Sequence, residues 1–280
     1  MRPGGGIGWV VCGALGLALA FSLLIPSADA RPNRIVSLNM CADQFVLMLA
    51  DPSDIVALSH FSKSAERSYM AEAAEPFPIT HGRIEHILAL APDLVLTGPF
   101  TTRTVGAMLK RTGVATHEVP IVNSLADIRT VTRATAKALG HTHRGEELVA
   151  EMDRQLAAVE PRPGARPVAA AFEANAIAVG GGTLIDDVLR VAGFDNMATQ
   201  LGMTGYAYLP LERLMAARPD FLVIGVVDLR YPSLGQQVLD HPALSRGVRP
   251  WRIVTVPGRL WVCGTPKVTE AVQLLTDALR

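Results

Sequence analysis

Apolar and polar residues form repeated blocks along the chain, each with an amphipathic helical pattern followed by a short apolar run. In the clearest block, Ile84, Ile87 and Leu88 recur at helical spacing, a Pro-Asp turn begins at Pro92, and residues 94–96 are all apolar. The spacing predicts a helix with one buried face, and the apolar run predicts a strand buried in a parallel sheet. Such units indicate an α/β fold.

The same block occurs a second time at residues 211–223. Glu85 and Glu212 stand at the second position of the two copies, and Pro92-Asp93 is matched by Pro219-Asp220 at the same offset. Matching residue types at fixed offsets indicate a duplication rather than a chance likeness between two helix-strand units. We therefore predict two α/β lobes of similar plan.

The segment between the two copies predicts long helices. Ser124 and Asp127 form an S-x-x-D capping box that opens one helix, and a second amphipathic pattern runs from Thr142 to Leu156 before the breaker Pro161. A helix of about 17 residues spans roughly 25 Å, which is enough to join two lobes as a stiff rod. We expect only small hinge motion between the lobes.

The first thirty residues have the pattern of an export signal. Arg2 precedes an apolar run over residues 7–25, and Ala28-Asp29-Ala30 is a small-x-small cleavage pattern. Removal of this segment would leave about 250 residues, a length that suits two lobes and a connection. The expected organisation is a signal peptide at 1–30, an N-terminal lobe at 31–141, a linking helix and turn at 142–165 and a C-terminal lobe at 166–280.

Composition narrows the class of function. The 26 basic and 26 acidic residues balance, so the charge gives no reason to expect a nucleic acid partner. The chain has no G-x-S-x-G elbow and no dinucleotide fingerprint, and its seven histidines are scattered. A binding protein without catalysis or a cofactor is therefore favoured over a periplasmic α/β enzyme. A bare metal ion would need about four convergent ligands, more than the expected cleft loops offer.

Three segments together resemble a known family. They are the opening strand 34–38 with its helix, the block at 84–96 and the linking helix. In these the chain resembles the helix-linked periplasmic binding proteins for vitamin B12, ferric siderophores and haem, and it looks closest to the cobalamin-binding branch. The resemblance implies two Rossmann-like lobes with parallel sheets joined by one long helix, and a ligand cleft between them. It also implies a monomer that delivers cobalamin or a ferric siderophore, with haem as the alternative, to an ABC permease.

By the same resemblance, Glu85 and Glu212 match the paired glutamates that dock onto arginines of the permease. One carboxylate on each lobe gives two charge-assisted anchors at a fixed separation. Each Glu also suits the first turn of its helix, where a negative charge favours the helix dipole. Both roles are compatible.

The cleft of an α/β protein lies beyond the carboxyl ends of its strands. The resemblance places aromatic cleft residues at Phe61, His81 and Tyr206, with His81 where the B12 branch has tryptophan. An imidazole there can stack, donate a hydrogen bond or ligate a metal, while packing is the alternative role for every aromatic residue. The full set of expected ligand contacts is Asn39, Cys41, Phe61, His81, Phe100, Tyr206, Tyr208 and Trp261.

Cys41 and Cys263 are the cysteines that remain after the expected signal is removed. An even count in an oxidising compartment favours a disulfide, while two separately buried thiols or two thiols facing the ligand are the alternatives. Free thiols are the slightly favoured expectation, because a bridge between the lobes would oppose even a small hinge motion.

Overall fold

Two β-sheets organise the part of the chain that the structure describes. The computed structural model describes residues 31–99, 103–160, 164–226, 235–245 and 251–280. The first sheet has five strands in the order β3-β2-β1-β4-β5, and every neighbouring pair is parallel. These strands are β1 (Ile35–Ser37), β2 (Ile55–Ser59), β3 (Ile79–Thr80), β4 (Leu94–Thr97) and β5 (Ala115–Glu118).

The second sheet has six strands and is mixed. Its order is β11-β10-β6-β7-β9, and β8 also pairs with β6. The strands are β6 (Val168–Glu173), β7 (Ile177–Val179), β8 (Asp195–Asn196), β9 (Tyr206–Tyr208), β10 (Phe221–Val226) and β11 (Arg252–Pro257). The expectation of a purely parallel sheet is wrong here, because β7 runs antiparallel to both β6 and β9. A tight turn at Ala174–Ala176 reverses the chain, and Asn175 and Ala176 adopt left-handed φ angles of 61° and 57°.

Helices cover the sheets. They are α1 (Met40–Leu49), α2 (Ala71–Ala74), α3 (Ile84–Ala89), α4 (Arg103–Thr112), α5 (Leu125–Ala138), α6 (Thr142–Ala157), α7 (Leu184–Val191), α8 (Met197–Gln200), α9 (Leu211–Ala217), α10 (Pro242–Ser245) and α11 (Thr269–Asp277). The expected helix cap at Ser124 is confirmed, since its side chain accepts a hydrogen bond from the backbone N–H of Asp127 at 3.0 Å. Among the described residues, no helix combines the length and apolarity needed to cross a bilayer.

The duplicated block occupies equivalent places in the two sheets. β4 lies between β1 and β5, and β10 lies between β6 and β11, with parallel pairing throughout. The repeated aspartates explain why the Pro-Asp turn occurs in both copies. Asp93 accepts hydrogen bonds from the backbone of Asn33 and Arg34 at the entry to β1, and Asp220 accepts one from Val168 at the start of β6. Each turn thus secures the neighbouring strand of its own sheet.

Two helices, α5 and α6, pack against both hydrophobic cores. Leu125 and Ile128 of α5 belong to the core around the second sheet, whereas Val131 and Leu139 of the same helix belong to the core around the first. Helix α6 makes the return crossing, with Leu148 against the first core and Met152 in the second. The two helices pack on each other. Helix α6 leads the chain from the first sheet to the second, as expected of the linking helix, with α5 packed beside it. The division into lobes at 141 and 165 stays a prediction.

Candidate functional site

A disulfide brings the carboxyl edges of the two sheets together. Cys41 lies in the first turn after β1, and Cys263 follows β11. Their Cα atoms are 4.9 Å apart and their sulfur atoms are bonded. The favoured expectation of free thiols is therefore wrong, because these loops meet in the structure. The side chains that follow the strands of both sheets consequently surround one region, which we call the cleft.

A second cross-contact lies nearby, where Tyr69 reaches from the segment after β2 to the start of α11. Its hydroxyl donates a hydrogen bond to the Glu270 carboxylate, and the Lys267 ammonium lies 5.6 Å from the centre of its ring. The ring also packs against the core of the second sheet. Together with the disulfide, this contact ties the two edges to each other.

The wall of the cleft on the first sheet carries a cluster of rings. The imidazoles of His60 and His81 stack with centroids 4.8 Å apart, and the phenyl ring of Phe61 lies 3.8 Å from that of His60. All three side chains are exposed. They border a cavity of about 160 Å³ together with Leu38, Ser59 and Thr80. This cavity is smaller than a metal chelate, so it can receive only one edge or substituent of such a ligand.

Asp43 is a buried residue behind this wall that the sequence analysis missed. Its carboxylate accepts hydrogen bonds from the backbone N–H and the hydroxyl of Ser59, the last residue of β2. Burial raises the pKa of Asp43 from 3.8 to about 6, although hydrogen bonds from Ser37 and Ser59 act in the opposite direction. Asp43 thereby fixes the end of β2, from which His60 and Phe61 project.

The raised pKa of Asp43 predicts a pH effect on stability. Because the folded state retains the proton to a higher pH than the unfolded state, the Asp43 contribution to stability should fall as pH rises from about 4 to 6. The neutral isostere Asp43→Asn removes this titration. We expect wild type to lose about 3 kcal/mol relative to the variant across this window, measured by urea unfolding at pH 4 and pH 7. Parallel stability curves for the two proteins would contradict the assignment.

The second sheet contributes a tyrosine wall. Tyr206 and Tyr208 lie on β9 and are 61 % and 67 % exposed, which is unusual for large aromatic side chains. The strand is held by close backbone contacts: the N–H groups of Gly180 and Gly181 donate to the carbonyls of Gly205 and Met203. A Cβ at Gly180 would lie 2.3 Å from the Met203 carbonyl oxygen, so only glycine allows this approach.

Three of the expected ligand contacts have structural roles instead. Trp261 is only 4 % exposed and packs in the core of the second sheet, so its ring face does not form a cleft wall. Asn39 caps α1, and its side-chain oxygen accepts hydrogen bonds from the backbone of Cys41 and Ala42. Cys41 is committed to the disulfide. Phe100 lies outside the described residues.

Glu173 is a cleft residue that the sequence analysis missed. It ends β6, and burial raises the pKa of its carboxyl group. Its charge also adds to the effect of burial that raises the pKa of Tyr206. The signal that could have found it is its place at the carboxyl end of the first strand of the second lobe, the counterpart of Asn39 after β1.

Glu85 and Glu212 begin α3 and α9, and both side chains are exposed. Helix α3 follows β3, and α9 follows β9, which runs parallel to β6. Each glutamate therefore lies at the carboxyl edge of its own sheet. Neither carboxylate makes a hydrogen bond or ion pair within the described ranges.

Residues 35–254 match the periplasmic binding protein family. The chain belongs to this family. Among its curated relatives, a cobalamin-binding protein of Halobacterium salinarum is 26 % identical over 208 residues, or 71 % of this chain. The chain spans about half, 55 %, of that relative's length. The family is one of binding proteins, in agreement with the lack of a catalytic motif in the sequence.

Two solved structures have the same fold as this chain. A periplasmic haem-binding protein from Roseiflexus sp. RS-1, in apo form, superposes with a TM-score of 0.70 at 23 % identity, covering 89 % of this chain and 99 % of that one. A periplasmic vitamin B12-binding protein of Vibrio cholerae gives 0.61 at 17 % identity, covering 89 % and 97 %. The two-lobed α/β fold class expected from the sequence is confirmed.

Proposed function

We propose that this periplasmic binding protein serves an ABC importer, that it carries a metal chelate of tetrapyrrole size in the cleft, and that it works as an exported monomer. Cobalamin is the first candidate cargo. The observation that carries the proposal is the Cys41–Cys263 bond, which joins the carboxyl edges of both sheets. Because of that bond, the ring cluster at His60 and the tyrosines of β9 border one gap. Its apolar and aromatic surfaces suit a bulky, rigid ligand.

Haem is the second candidate, and a specific observation favours it. The stacked imidazoles of His60 and His81 and the phenol of Tyr206 are all groups that serve as axial ligands of iron. A ferric siderophore, whose metal is already saturated, would use the same rings only for packing. The three classes of cargo are therefore distinguished by direct binding measurements rather than by the fold.

Titration of the chain from Arg31 with aquocobalamin, haemin and a ferric hydroxamate tests the proposal. We expect saturable binding of one molecule of a tetrapyrrole chelate by calorimetry. The double variant Tyr206→Ala/Tyr208→Ala should weaken that binding by at least about 10-fold, because each substitution removes an aromatic ring that would contact the ligand. The matched control Met108→Ala, at an exposed apolar residue of α4, should leave affinity unchanged. Absence of binding to all three chelates would refute the proposal.

Glu85 and Glu212 would then present one carboxylate each to the permease. Their support is the repeat itself: both stand in the first turn of the helix that precedes the equivalent strand of each sheet, β4 in the first and β10 in the second. A receiver with two basic groups at the matching separation would bind both lobes at once.

A further inference from the structure

The Glu173 carboxylate is a charged group on the cleft wall without a partner among the described residues. It belongs to the last residue of β6, next to the turn at Ala174–Ala176. The side chain is half-buried, and no described donor or cation pairs with it. A partly desolvated carboxylate that lacks hydrogen bonds is costly, and a ligand that donates hydrogen bonds to it would offset that cost.

The neighbouring strand places no side chain against this carboxylate at Gly225. Ile224 of β10 pairs with Phe172, which places Gly225 beside Glu173. A Cβ at Gly225 would lie 3.4 Å from the Glu173 Oε1 atom and 3.4 Å from Cζ2 of Trp261. The carboxylate and the indole edge therefore flank a strip that carries no side chain. A ligand can approach the carboxylate over this strip, with the buried indole as a rigid support.

The turn after β6 fixes the position of the carboxylate. Asn175 and Ala176 hold left-handed backbone angles without being glycine, which is an unfavourable conformation for both residues. The Asn175 N–H donates to the Gly235 carbonyl at 2.8 Å, which ties the turn to the following segment. Strain of this kind is typical of places where a side chain must be held in one orientation.

An ionised carboxylate accepts hydrogen bonds and donates none. Amide N–H groups on the rim of a ligand would satisfy it, whereas a ligand carboxylate at the same place would be repelled. Burial raises the pKa of Glu173. Burial and the Glu173 charge both raise the pKa of the nearby Tyr206 hydroxyl, which therefore supplies no positive charge to offset the repulsion.

We propose that Glu173 is a specificity-determining residue, which accepts hydrogen bonds from N–H groups on the rim of the cargo and selects against cargo that carries carboxylates there. This inference rests on the proposed function. It names the cargo class as a neutral, amide-bearing metal corrinoid rather than a haem with its propionates or a carboxylate siderophore.

Two corrinoids that differ only in their rim test this directly: dicyanocobinamide, which carries amides, and dicyanocobyrinic acid, which carries carboxylates. The cyanide ligands occupy both axial positions, so coordination by imidazole does not contribute. We expect wild type to bind the amide ligand more tightly than the carboxylate ligand. Glu173→Gln should reduce this preference, given by the dissociation constant of the carboxylate ligand divided by that of the amide ligand, by about 10-fold or more. Glu173→Asp, which keeps the charge, should retain the wild-type ratio within about threefold.

Glu147→Gln, an exposed residue of α6 away from the strand ends, is the matched control and should leave the ratio unchanged. Thermal melts of all variants verify folding. A ratio that is the same in wild type and Glu173→Gln overturns the inference and leaves the proposed function intact. If wild type binds haemin or a ferric hydroxamate more tightly than dicyanocobinamide, the inference is also overturned and the proposed function again stands. If wild type binds none of the four chelates, the proposed function itself fails.

Discussion

Reversing the charge of Glu85 and Glu212 together is expected to abolish uptake of the cargo without changing its affinity for the binding protein. Each carboxylate lies exposed in the first turn of a helix at the carboxyl edge of its sheet. Lysine at both places would set like charges against the basic groups of the proposed permease site. Loss of two charge-assisted anchors corresponds to at least about a 30-fold weaker complex, which should reduce transport to near background.

The measurement is uptake of labelled cargo by cells that depend on this chain, alongside calorimetry with the purified proteins. Glu72→Lys/Glu147→Lys changes the net charge equally at two other exposed glutamates and is the matched control. Normal uptake by Glu85→Lys/Glu212→Lys would refute the docking assignment. A parallel loss of cargo affinity would also refute it, because it would place these residues in the cleft instead.

Removing the bridge between the sheets is expected to have the largest effect on stability. The Cys41–Cys263 bond closes a loop with a sequence separation of 222 residues. The bond restricts the unfolded chain, and disulfides often stabilise proteins by less than the loop entropy alone predicts. We therefore expect Cys41→Ser/Cys263→Ser to lower the free energy of unfolding by about 4 kcal/mol. For a chain of this size the melting temperature should fall by roughly 8–16 °C.

Calorimetric melts with and without a reducing agent measure this effect. Reduction should shift wild type toward the double variant and leave the variant itself unchanged, which separates the bond from other effects of the reagent. We also expect weaker cargo binding by the variant, because the bond no longer ties the two edges of the cleft to each other. Two alkylatable thiols in the protein purified without a reducing agent would show that the bond is absent.

The arrangement of the core could be predicted because it depends on local pattern and on repetition. The block at 84–96 and its copy at 211–223 predict a helix, a Pro-Asp turn and a buried strand, and the structure places β4 and β10 at equivalent positions. The helix cap at Ser124 could be predicted for the same reason, since a cap is recognised from four consecutive residues.

Features that depend on long-range contacts could not be predicted. The reversal after β6 uses Asn175 and Ala176 in left-handed conformations, so the usual glycine signal of such a turn is missing and the sheet was expected to be parallel. Cys41 and Cys263 are distant in sequence, and only the packing of the two sheets shows that they meet. The same holds for Trp261, whose burial depends on residues from several elements.

The crossing helices are an intermediate case. The amphipathic patterns of α5 and α6 are visible in sequence, but a pattern gives the buried face and not the partner. The change of partner along α5, from the second core at Ile128 to the first at Val131, follows only from the tertiary structure.

The position of the cargo metal tests the central claim most directly. Crystals of the complex, measured at the absorption edge of cobalt or iron, should give one anomalous peak in the gap between Phe61 and Tyr206. A peak at the carboxylates of Asp51 and Asp54 beside His141, whose donor atoms lie within 4.8 Å of one another, or in the groove among α5, α6 and α7, would contradict the account.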